Sequence, residues 1–409
     1  MTSRLEHDRN DVGTKRLQTR HGSARSVPVG GFTPPSRGAG PERAAARHLY
    51  VHLPFCVHRC GYCDFVTARG GRGQDAAYVD ALLTELALEE SLLATAPETI
   101  FLGGGTPTFT EPAALARLLG TLPATQELTV EANPETITPV LATLLREHGV
   151  NRISLGAQSF QPHLLEVLER RATPASVRLA YRTLRDAGFD NVSLDLIYGI
   201  PGQSMSDLAF DLAEAVELGP EHLSCYELEA KPGTRFTSAH GEELARQGEA
   251  MEGYFELVVE TLTAGGYRWY ETANFCRAGS ARDLRARHNL GYWLGRDYLG
   301  IGVGAVSTIG DLRWRNAPGV PRYLAALSRG DRPTRELEHL DGHVKARERV
   351  LLGLRLDEPL PLGGLGGAVD PDALIGLARH GLISTGDGTL ALTRRGRFLG
   401  GGVTAELLA

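Results

Sequence analysis

The feature that most constrains the fold is the alternation of short apolar segments with longer amphipathic ones. The apolar segments, which we predict to be strands, are residues 49–53, 99–102, 128–132, 153–157, 192–198 and 223–228. The amphipathic segments between or after them, which we predict to be helices, are residues 77–93, 113–119, 139–147, 175–187 and 206–217. Such β-then-α units predict an α/β fold in which a parallel sheet, covered by helices, curls into a partial (β/α)6 barrel. In such a sheet we expect ligand groups at the carboxyl ends of the strands.

The chain divides into three predicted regions. Residues 1–47 are rich in Arg, Gly, Ser and Pro and show no apolar period, so we interpret them as a disordered tail. Residues 48–310 are predicted to form the barrel and its extension, and residues 311–409 a C-terminal, mostly helical domain. Within that domain, residues 373–380, 384–393 and 395–408 have the pattern helix, hairpin, helix, which is similar to a winged helix. We interpret it as a packing cap on the barrel rather than a nucleic-acid module.

The charge distribution gives no indication of a nucleic-acid partner. The net charge is -6, and residues 1–47 carry nine Lys or Arg against four Asp or Glu, which leaves -11 on the remainder. An acidic folded part lacks the clustered basic face that a duplex would require. No apolar run approaches the ~18 residues of a membrane span, and no secretory signal is evident. We therefore expect a cytoplasmic protein without a membrane span.

Three of the five cysteines, Cys56, Cys60 and Cys63, fall within eight positions directly after the first predicted strand. Five cysteines are too few for a disulfide scaffold, so this group indicates a ligand cluster in a reducing compartment. On a loop, thiolates at these spacings can bind three irons of a [4Fe-4S] cluster and leave the fourth iron open. The alternative is zinc, completed by His52 or His58, but no companion Cys or His pair at zinc spacing occurs elsewhere.

Polar and glycine residues recur where the other predicted strands end. A glycine-rich segment, Gly103 to Pro107, ends the second strand and would let backbone groups approach a ligand closely. Glu131, Gln158 and Asp195 end the next strands in otherwise apolar surroundings. Since a buried carboxylate without a partner is costly, a polar ligand or a cation should meet these side chains, although each could also be a satisfied core group.

The cysteine spacing after the first strand of a β/α series resembles the radical S-adenosylmethionine (SAM) superfamily. Four segments narrow the resemblance, over about residues 48–408, to the coproporphyrinogen III oxidase-like branch. They are Tyr-x-His-x-Pro-Phe-Cys at residues 50–56, Gly-Gly-Gly-Thr-Pro-Thr at 103–108, Asp-Leu-Ile-Tyr-Gly-Ile-Pro-Gly at 195–202, and Gly-Ile-Gly-Val-Gly-Ala at 300–305.

The resemblance implies a [4Fe-4S] cluster with SAM at its open iron. In this superfamily an electron from the cluster cleaves a carbon-sulfur bond of SAM to give a 5'-deoxyadenosyl radical, which implies an electron donor such as flavodoxin or ferredoxin. By resemblance, Gly103 to Pro107 would bind the SAM amino group, and Arg170 the SAM carboxylate or one of the strand-end acids. The residues expected to bind the cofactor are Tyr50, Tyr62, Gly104, Gly105, Thr106, Glu131, Gln158, Arg170 and Asp195.

Within the branch, the chain is most similar to the heme-chaperone group, HemW. The oxidase group has Cys-x-Cys at the end of its cluster motif, whereas this chain has Cys63-Asp64-Phe65. The segment from His288 to Trp293 matches the His-Asn-x-x-Tyr-Trp segment of the chaperone group, which implies His288 as a heme ligand beside aromatic rings. The alternative is that His288 forms structural hydrogen bonds and its aromatic neighbours are core residues.

This resemblance predicts a heme chaperone that passes heme to a respiratory acceptor protein without coproporphyrinogen oxidase activity. The alternative is an oxygen-independent coproporphyrinogen III oxidase, in which SAM chemistry decarboxylates the substrate's propionates. The chain departs from its relatives at two places. Leu168-Glu169-Arg170-Arg171-Ala172 stands for Leu-Gly-Arg-x-His, and Gly304-Ala305-Val306-Ser307 for Gly-Ala-His-Ser. Two histidines expected in porphyrin handling are therefore absent.

Overall fold

The computed structural model describes residues 45–70, 73–229, 231 and 235–408, so the predicted tail lies almost wholly outside the described residues. The strands are β1 His48–Leu53, β2 Phe55–Cys56, β3 Ala68–Arg69, β4 Thr99–Gly104, β5 Glu127–Ala132, β6 Arg152–Gln158, β7 Val192–Tyr198, β8 His222–Glu227, β9 Tyr267–Glu271, β10 Asn274–Arg277, β11 Tyr298–Ile301, β12 Val306–Ile309, β13 Leu312–Asn316, β14 Arg335–His339, β15 Leu360–Pro361, β16 Ile383–Gly386 and β17 Thr389–Leu392. The helices are α1 Gln74–Glu89, α2 Pro112–Thr121, α3 Pro139–Glu147, α4 Pro162–Val167, α5 Pro174–Asp186, α6 Met205–Leu218, α7 Arg235–Ala264, α8 Arg287–Trp293, α9 Val320–Leu327, α10 Gly342–Gly353, α11 Pro371–Arg379, α12 Arg394–Phe398 and α13 Gly400–Leu407.

The predicted parallel sheet is confirmed. Strands β1, β4, β5, β6, β7 and β8 lie side by side in that order, and each pair is parallel. Strand β11 joins the other side of β1 in parallel, and β12, β13 and β14 continue from it as antiparallel neighbours. Strands β10 and β9 extend the opposite edge beyond β8. Each predicted strand falls at its expected place, within one or two residues at each end.

Alternation along the strands separates a packed face from a polar one. In β1, Leu49, Val51 and Leu53 are at most 1% exposed and belong to the main hydrophobic core. The residues between them, His48, Tyr50 and His52, are polar or amphipathic. Because successive strand residues point to opposite faces, the apolar set packs against the helices while the polar set lies on the other face of the curled sheet.

The helices begin where the sequence provides caps. Thr138, Thr173 and Ser204 accept backbone N–H groups at the starts of α3, α5 and α6, and the last two form capping boxes. These caps end the loops that leave the carboxyl ends of the strands. The loops are therefore fixed at both sides, which holds their polar side chains in place.

The C-terminal region has its own small core. Strands β15, β17 and β16 form a three-stranded antiparallel sheet, packed with α11 and α13 around residues such as Val350, Leu377 and Leu390. The predicted single helix over residues 395–408 is wrong, because the helix is interrupted at Leu399 (φ -101, ψ 18) between α12 and α13. The boundary at residue 310 stays a prediction, and the main sheet continues past it to His339. No helix within the described ranges is long and apolar enough to cross a membrane.

Candidate functional site

The loop that carries the three cysteines leaves the carboxyl end of β1 and returns to it. Strand β3 pairs in parallel with β2, which sets Cys56 opposite Arg69. Inside the loop, the N–H of Cys63 donates to the carbonyl of Cys60 at 3.2 Å, and Arg59 donates to the carbonyl of Cys63 at 3.2 Å. All three cysteines are free and half-buried, so the predicted ligands lie where the strand order predicts them.

These thiols share one cavity of about 640 Å³. Its lining residues are Cys56, His58, Arg59, Cys60, Gly61, Cys63, Thr67, Ala68, Arg69 and Glu169. The volume falls in the range of roughly 300–1,000 Å³ that is typical of cofactor sites. A shared cavity at the sheet's carboxyl edge therefore provides the space that a cluster would need.

His52, one of the two histidines considered as a zinc ligand, does not line this cavity. Among the described residues, no three His, Cys, Asp or Glu side chains converge as the ligands of a single metal ion would. His52 is already engaged, since its Nε2–H donates to the carbonyl of Val66 at 2.8 Å and its Nδ1 lies 3.0 Å from the Tyr50 hydroxyl. A cubane binds each thiolate through a different iron, so it does not require the convergence that zinc requires.

A chain of hydrogen bonds connects two of the thiols. The Thr106 hydroxyl donates to the Sγ of Cys56 at 3.5 Å, and the side-chain amide of Asn133 donates to the Thr106 hydroxyl at 2.9 Å. The guanidinium of Arg170 donates to the Asn133 side-chain carbonyl at 2.8 Å and to the Sγ of Cys60 at 3.7 Å. Thr106 and Arg170 were predicted at this site, but Asn133 was not. Its position two residues after Glu131, at the end of β5, is the signal that could have identified it.

Burial and hydrogen bonding act in opposite directions on the thiols. Burial raises the pKa of Cys56, and the hydrogen bond from Thr106 lowers it in part. Burial likewise raises the pKa of Cys63. Both groups therefore favour the protonated form in the absence of metal. A metal that binds thiolate would have to displace these protons.

The glycine-rich segment after β4 brings the backbone close to the cysteine loop. A Cβ on Gly105 would lie 2.6 Å from the backbone carbonyl of Pro54, so no larger residue fits there. Gly104 has φ +109, which favours glycine. Its N–H donates to Glu131 at 3.1 Å. The two backbones are therefore in direct contact at Gly105, and the room expected beside the cysteines stays a prediction.

Two carboxyl groups lie near each other on the polar face of the sheet. Burial, followed by the nearby Asp195 carboxylate, raises the pKa of Glu131 to about 7. Burial also raises the pKa of Asp195, which accepts hydrogen bonds from Ser154 at 2.8 Å and Ser193 at 3.3 Å. Both side chains are half-buried and reach the carboxyl half of the sheet. Glu131 in particular would gain from a ligand that donates hydrogen bonds to it.

Gln158 ends β6 in a strained conformation. Its φ is +64, and the register with β7 shifts between Gly156 and Gln158. A non-glycine residue in this region costs about 1–3 kcal/mol and is frequent at binding sites. The irregularity interrupts the regular pairing of β6 with β7. The side chains of Gln158, Asn133 and Arg170 all lie near the Cβ position of Gly156.

Arg170 has one donor without a partner. Its Nε is buried and makes no hydrogen bond, whereas its two terminal nitrogens bind Cys60, Asn133 and the carbonyl of Gly156. Burial lowers the pKa of Arg170, but the neighbouring Tyr62 hydroxyl and Cys60 thiol outweigh this, and the net pKa is raised. The group therefore stays charged. A buried cationic donor of this kind suits an anionic ligand group.

The two predicted tyrosines lie on different sides of the site. Burial raises the pKa of Tyr62, whose charged and polar neighbours include the Arg170 guanidinium and the Cys60 thiol. Burial also raises the pKa of Tyr50, whose ring stacks on Phe101 with centroids 6.2 Å apart. Tyr62 thus belongs to the cysteine region, and Tyr50 lies further down the polar face of the barrel.

His288 lies at the opposite end of the barrel from the cysteines. Its Nδ1 is 2.8 Å from the hydroxyl of Thr99, at the start of β4, and its Nε2 is 2.9 Å from the Tyr292 hydroxyl. The backbone N–H of His288 donates to the side-chain carboxylate of Glu127, at the start of β5, at 3.1 Å. The residue is 2% exposed, and burial lowers its pKa to about 3. This geometry favours the structural alternative for His288 over heme ligation.

Comparisons with known proteins find relatives in one superfamily. A profile of the radical SAM superfamily matches residues 50–214. A relative from Mycobacterium tuberculosis, the heme chaperone HemW, is 38% identical over 91% of this chain and 97% of its own length. The Bacillus subtilis heme chaperone HemW is 33% identical over 88% of this chain and 99% of its own. Among solved structures, the radical SAM enzyme coproporphyrinogen III oxidase (HemN) from Escherichia coli matches with a TM-score of 0.72 and 25% identity, over 90% of each chain.

Proposed function

The chain belongs to the radical SAM superfamily and, within it, to the HemW family of heme chaperones, and from this membership we propose a role for each part of its site. Its function is that of a heme chaperone, which binds heme and transfers it to an acceptor protein. The observation that carries this conclusion is the identity of 33–38% with HemW relatives over nearly their whole length. The superfamily implies a [4Fe-4S] cluster and SAM as cofactors.

We propose that Cys56, Cys60 and Cys63 hold the cluster. Three observations support this set. The thiols share one cavity, two of them accept hydrogen bonds from Thr106 and Arg170, and they are not arranged for a single metal ion. Once bound, the cluster would supply an open iron and a source of one electron. The hydrogen bonds would fix the thiolates and lower their electron density toward the cluster.

SAM would lie between the cysteine loop and the carboxyl ends of β4 to β7. Gly105 lets the backbone after β4 pack against the backbone of Pro54, and the unpartnered Nε of Arg170 suits the SAM carboxylate. Glu131 and Asp195 can accept hydrogen bonds from ribose hydroxyls or the ammonium group. The full set that we propose for this cofactor is Tyr50, Tyr62, Gly104, Gly105, Thr106, Glu131, Gln158, Arg170 and Asp195.

Heme ligation by His288 would require a rearrangement. Each ring nitrogen is within hydrogen-bond distance of a hydroxyl, of Thr99 or of Tyr292, so an iron could bind only after one of these contacts breaks. His288→Ala tests the role directly. If His288 is structural, heme affinity per folded molecule stays at the wild-type level, and if it is a ligand the affinity falls.

The proposed acceptor is a respiratory heme protein, and the proposed electron donor is a flavodoxin or ferredoxin. We further propose that the protein works in the cytoplasm. These finer assignments rest on the family resemblance alone. Retention of the protein on an immobilised acceptor only when heme is bound would support the first of them.

An oxidase role has one observation in its favour, the match to HemN over 90% of each chain. Against it stands Phe65, which follows the cysteine loop where the oxidase pattern has a cysteine, and whose side chain is 64% exposed. The higher identity to HemW relatives over their full length also favours the chaperone.

The deciding experiment uses protein with a reconstituted cluster under anaerobic conditions. It is given SAM, a strong reductant and coproporphyrinogen III, and heme uptake is measured in parallel. We expect one heme to bind and transfer to an acceptor, without protoporphyrinogen IX formation. Cys276→Ala, which removes a buried thiol outside the cavity, is the matched control for the cysteine variants. Catalytic product formation would overturn the chaperone assignment.

A further inference from the structure

Glu169 adopts a backbone conformation that its residue type disfavours. Its φ is +55, in the left-handed region, and among the described residues only Gln158 and Asp387 share this property without being glycine. Asp387 lies between two glycines in the turn of the β16–β17 hairpin, where a positive φ is common. Glu169 lies in the turn that ends α4, where the N–H of Arg170 donates to the carbonyl of Leu165 at 2.8 Å; this left-handed position favours glycine, which the relatives have there. Strain of this kind persists only where the surrounding structure holds it.

The side chain of Glu169 reaches across to the cysteine loop. Its Oε1 lies 2.9 Å from the position that a Cβ on Gly61 would occupy, so the carboxylate rests against the Gly61 backbone. Its Oε2 lies 3.6 Å from Nε2 of His58. His58 and Gly61 stand on either side of Cys60. The carboxylate therefore contacts the loop both before and after this cysteine.

The next residue along the chain acts on the same cysteine. Arg170 donates to the Sγ of Cys60 at 3.7 Å and is anchored by Asn133 and the carbonyl of Gly156. The backbone N–H of Glu169 donates to the carbonyl of Glu166 at 2.9 Å, which ties the pair to the end of α4. Arg170 thus contacts the Cys60 thiol, and the preceding Glu169 contacts the loop on either side of it, from one fixed backbone segment.

We propose that Glu169 is a positioning residue that clamps the cluster-binding loop around Cys60, using its carboxylate, at the cost of a strained backbone. This inference rests on the proposed cluster at Cys56, Cys60 and Cys63. It adds a residue that the family pattern does not contain, since the pattern has glycine there. The clamp orients the Cys60 thiolate and slows the release of the cluster, and its negative charge makes the reduced cluster less favourable.

Two consequences separate a clamp from a residue that merely supports the fold. Replacement by glycine relieves the backbone strain, so the clamp-free protein should fold at least as well without metal. The same replacement removes the contacts to Gly61 and His58, so the bound cluster should be released faster. A structural role would instead lower both properties together.

The test compares Glu169→Gly, Glu169→Gln and Asp387→Gly with the wild type. Asp387→Gly is the matched control, because it relieves the same type of backbone strain far along the chain from the cysteine loop. Once cluster uptake by the wild type is established, thermal unfolding of the metal-free proteins is measured. After anaerobic reconstitution, the rate of cluster loss to a chelator is followed by visible absorbance, and the cluster's reduction potential is measured by redox titration.

For Glu169→Gly we expect an unfolding temperature no more than about 1 °C below the wild type and cluster loss roughly tenfold faster, the usual effect of removing a group that orients a metal ligand. Glu169→Gln keeps the side-chain length and should lose the cluster more slowly than Glu169→Gly. Both variants remove the charge, so both should shift the potential to more positive values. Asp387→Gly should match the wild type in loss rate and potential.

The proposal is overturned if Glu169→Gly releases the cluster at the wild-type rate with an unshifted potential. It is also overturned if the metal-free variant unfolds at a clearly lower temperature, since the residue would then serve the fold. A wild-type protein that takes up no cluster at all would instead overturn the proposed cluster site, and reconstitution of the wild type is therefore the first measurement. The two failures are thus distinguishable.

Discussion

The polar groups at the two ends of the barrel differ in how far the chain itself provides their hydrogen-bond partners. At the amino ends of the strands, the Thr99 hydroxyl lies 2.8 Å from Nδ1 of both His48 and His288, and His288 continues to Tyr292. At the carboxyl ends, Arg170 keeps a buried nitrogen without a partner, and Glu131 has a pKa raised to about 7. His288 is therefore satisfied within the chain, although Nε2 of the neighbouring His48 is buried without a partner, whereas Arg170 and Glu131 have capacity for a ligand.

This difference separates groups that serve the fold from groups that serve a ligand. A buried polar group costs free energy unless it is hydrogen-bonded, so a protein satisfies its structural polar groups internally. Groups left partly unsatisfied at the carboxyl edge are stabilised when a ligand completes them. The amino end is also closely packed, since a Cβ on Gly291 would lie 3.0 Å from the His48 ring.

The largest expected effect is the loss of the proposed cluster, and it should affect only the carboxyl end of the barrel. Serine variants of Cys56, Cys60 and Cys63 should lose the cluster completely, because an alcohol is a poor iron ligand at neutral pH. Their metal-free unfolding should stay close to that of the wild type, since the thiols are half-buried and outside the main core. Iron content and visible absorbance after reconstitution check the first outcome, and calorimetry the second. A variant that keeps a full cluster would remove its cysteine from the ligand set.

The next largest effect is a loss of stability caused by a change at the amino end of the barrel alone. His288→Ala leaves the Tyr292 hydroxyl without this partner and creates a cavity, while the Thr99 hydroxyl keeps its contact with Nδ1 of His48. We expect a loss of about 2–4 kcal/mol in the free energy of unfolding, with cluster content unchanged. Denaturant unfolding of the metal-free protein measures this loss. If stability is retained while heme uptake disappears, His288 belongs to a ligand site and the comparison of the two ends fails.

This contrast also explains what the sequence alone could predict. The six parallel strands were predictable because period-two and helical patterns follow directly from burial. The position of the cysteine loop was predictable because it follows β1 along the chain. The ends of β5 and β6 likewise placed Glu131 and Gln158 near one edge, whereas Asp195, expected at a strand end, lies in the middle of β7 (Val192–Tyr198).

Other features depend on the register between distant segments. The motif around His288 gave its aromatic neighbours but not the end of the barrel at which it lies, which depends on how α8 packs against the starts of β4 and β5. The link through Asn133 joins residues from three separate units, so no local pattern reveals it. The positive φ of Glu169 was invisible because its residue type suggests ordinary backbone.

A third prediction concerns the pH dependence of stability at the carboxyl end of the barrel. Because burial and Asp195 raise the pKa of Glu131 to about 7, the folded protein binds a proton between about pH 4.5 and 7 that the unfolded chain has released. Stability of the metal-free protein should therefore fall as the pH rises through this window. Glu131→Gln should flatten the dependence and stabilise the protein by about 2 kcal/mol at pH 8. Denaturant unfolding between pH 5 and 8 checks this.

The sign of the Glu131 effect distinguishes the two ends. Replacing Glu131, whose burial destabilises the folded protein, should raise the free energy of unfolding. Replacing His288 should lower it. Glu131→Gln should also weaken SAM binding, measured by anaerobic equilibrium dialysis. An unchanged pH dependence in Glu131→Gln would show that this carboxyl is not the group that titrates. Glu131 would then no longer be assigned as a group that a ligand satisfies.

The smallest expected effect measures how closely the amino end is packed, using two helical glycines. Gly120 in α2 has only the His148 ring near its Cβ position, at 3.9 Å, so Gly120→Ala should stabilise the protein by about 0.5–1 kcal/mol through helix propensity. Gly291 in α8 has the same propensity gain, but its Cβ would crowd the His48 ring, which the hydrogen bond to Thr99 holds in place. Gly291→Ala should therefore destabilise by about 1 kcal/mol without changing cluster content. Equal stabilisation of both variants would show that the His48 ring can move aside, and that the network at the amino end is looser than its hydrogen bonds imply.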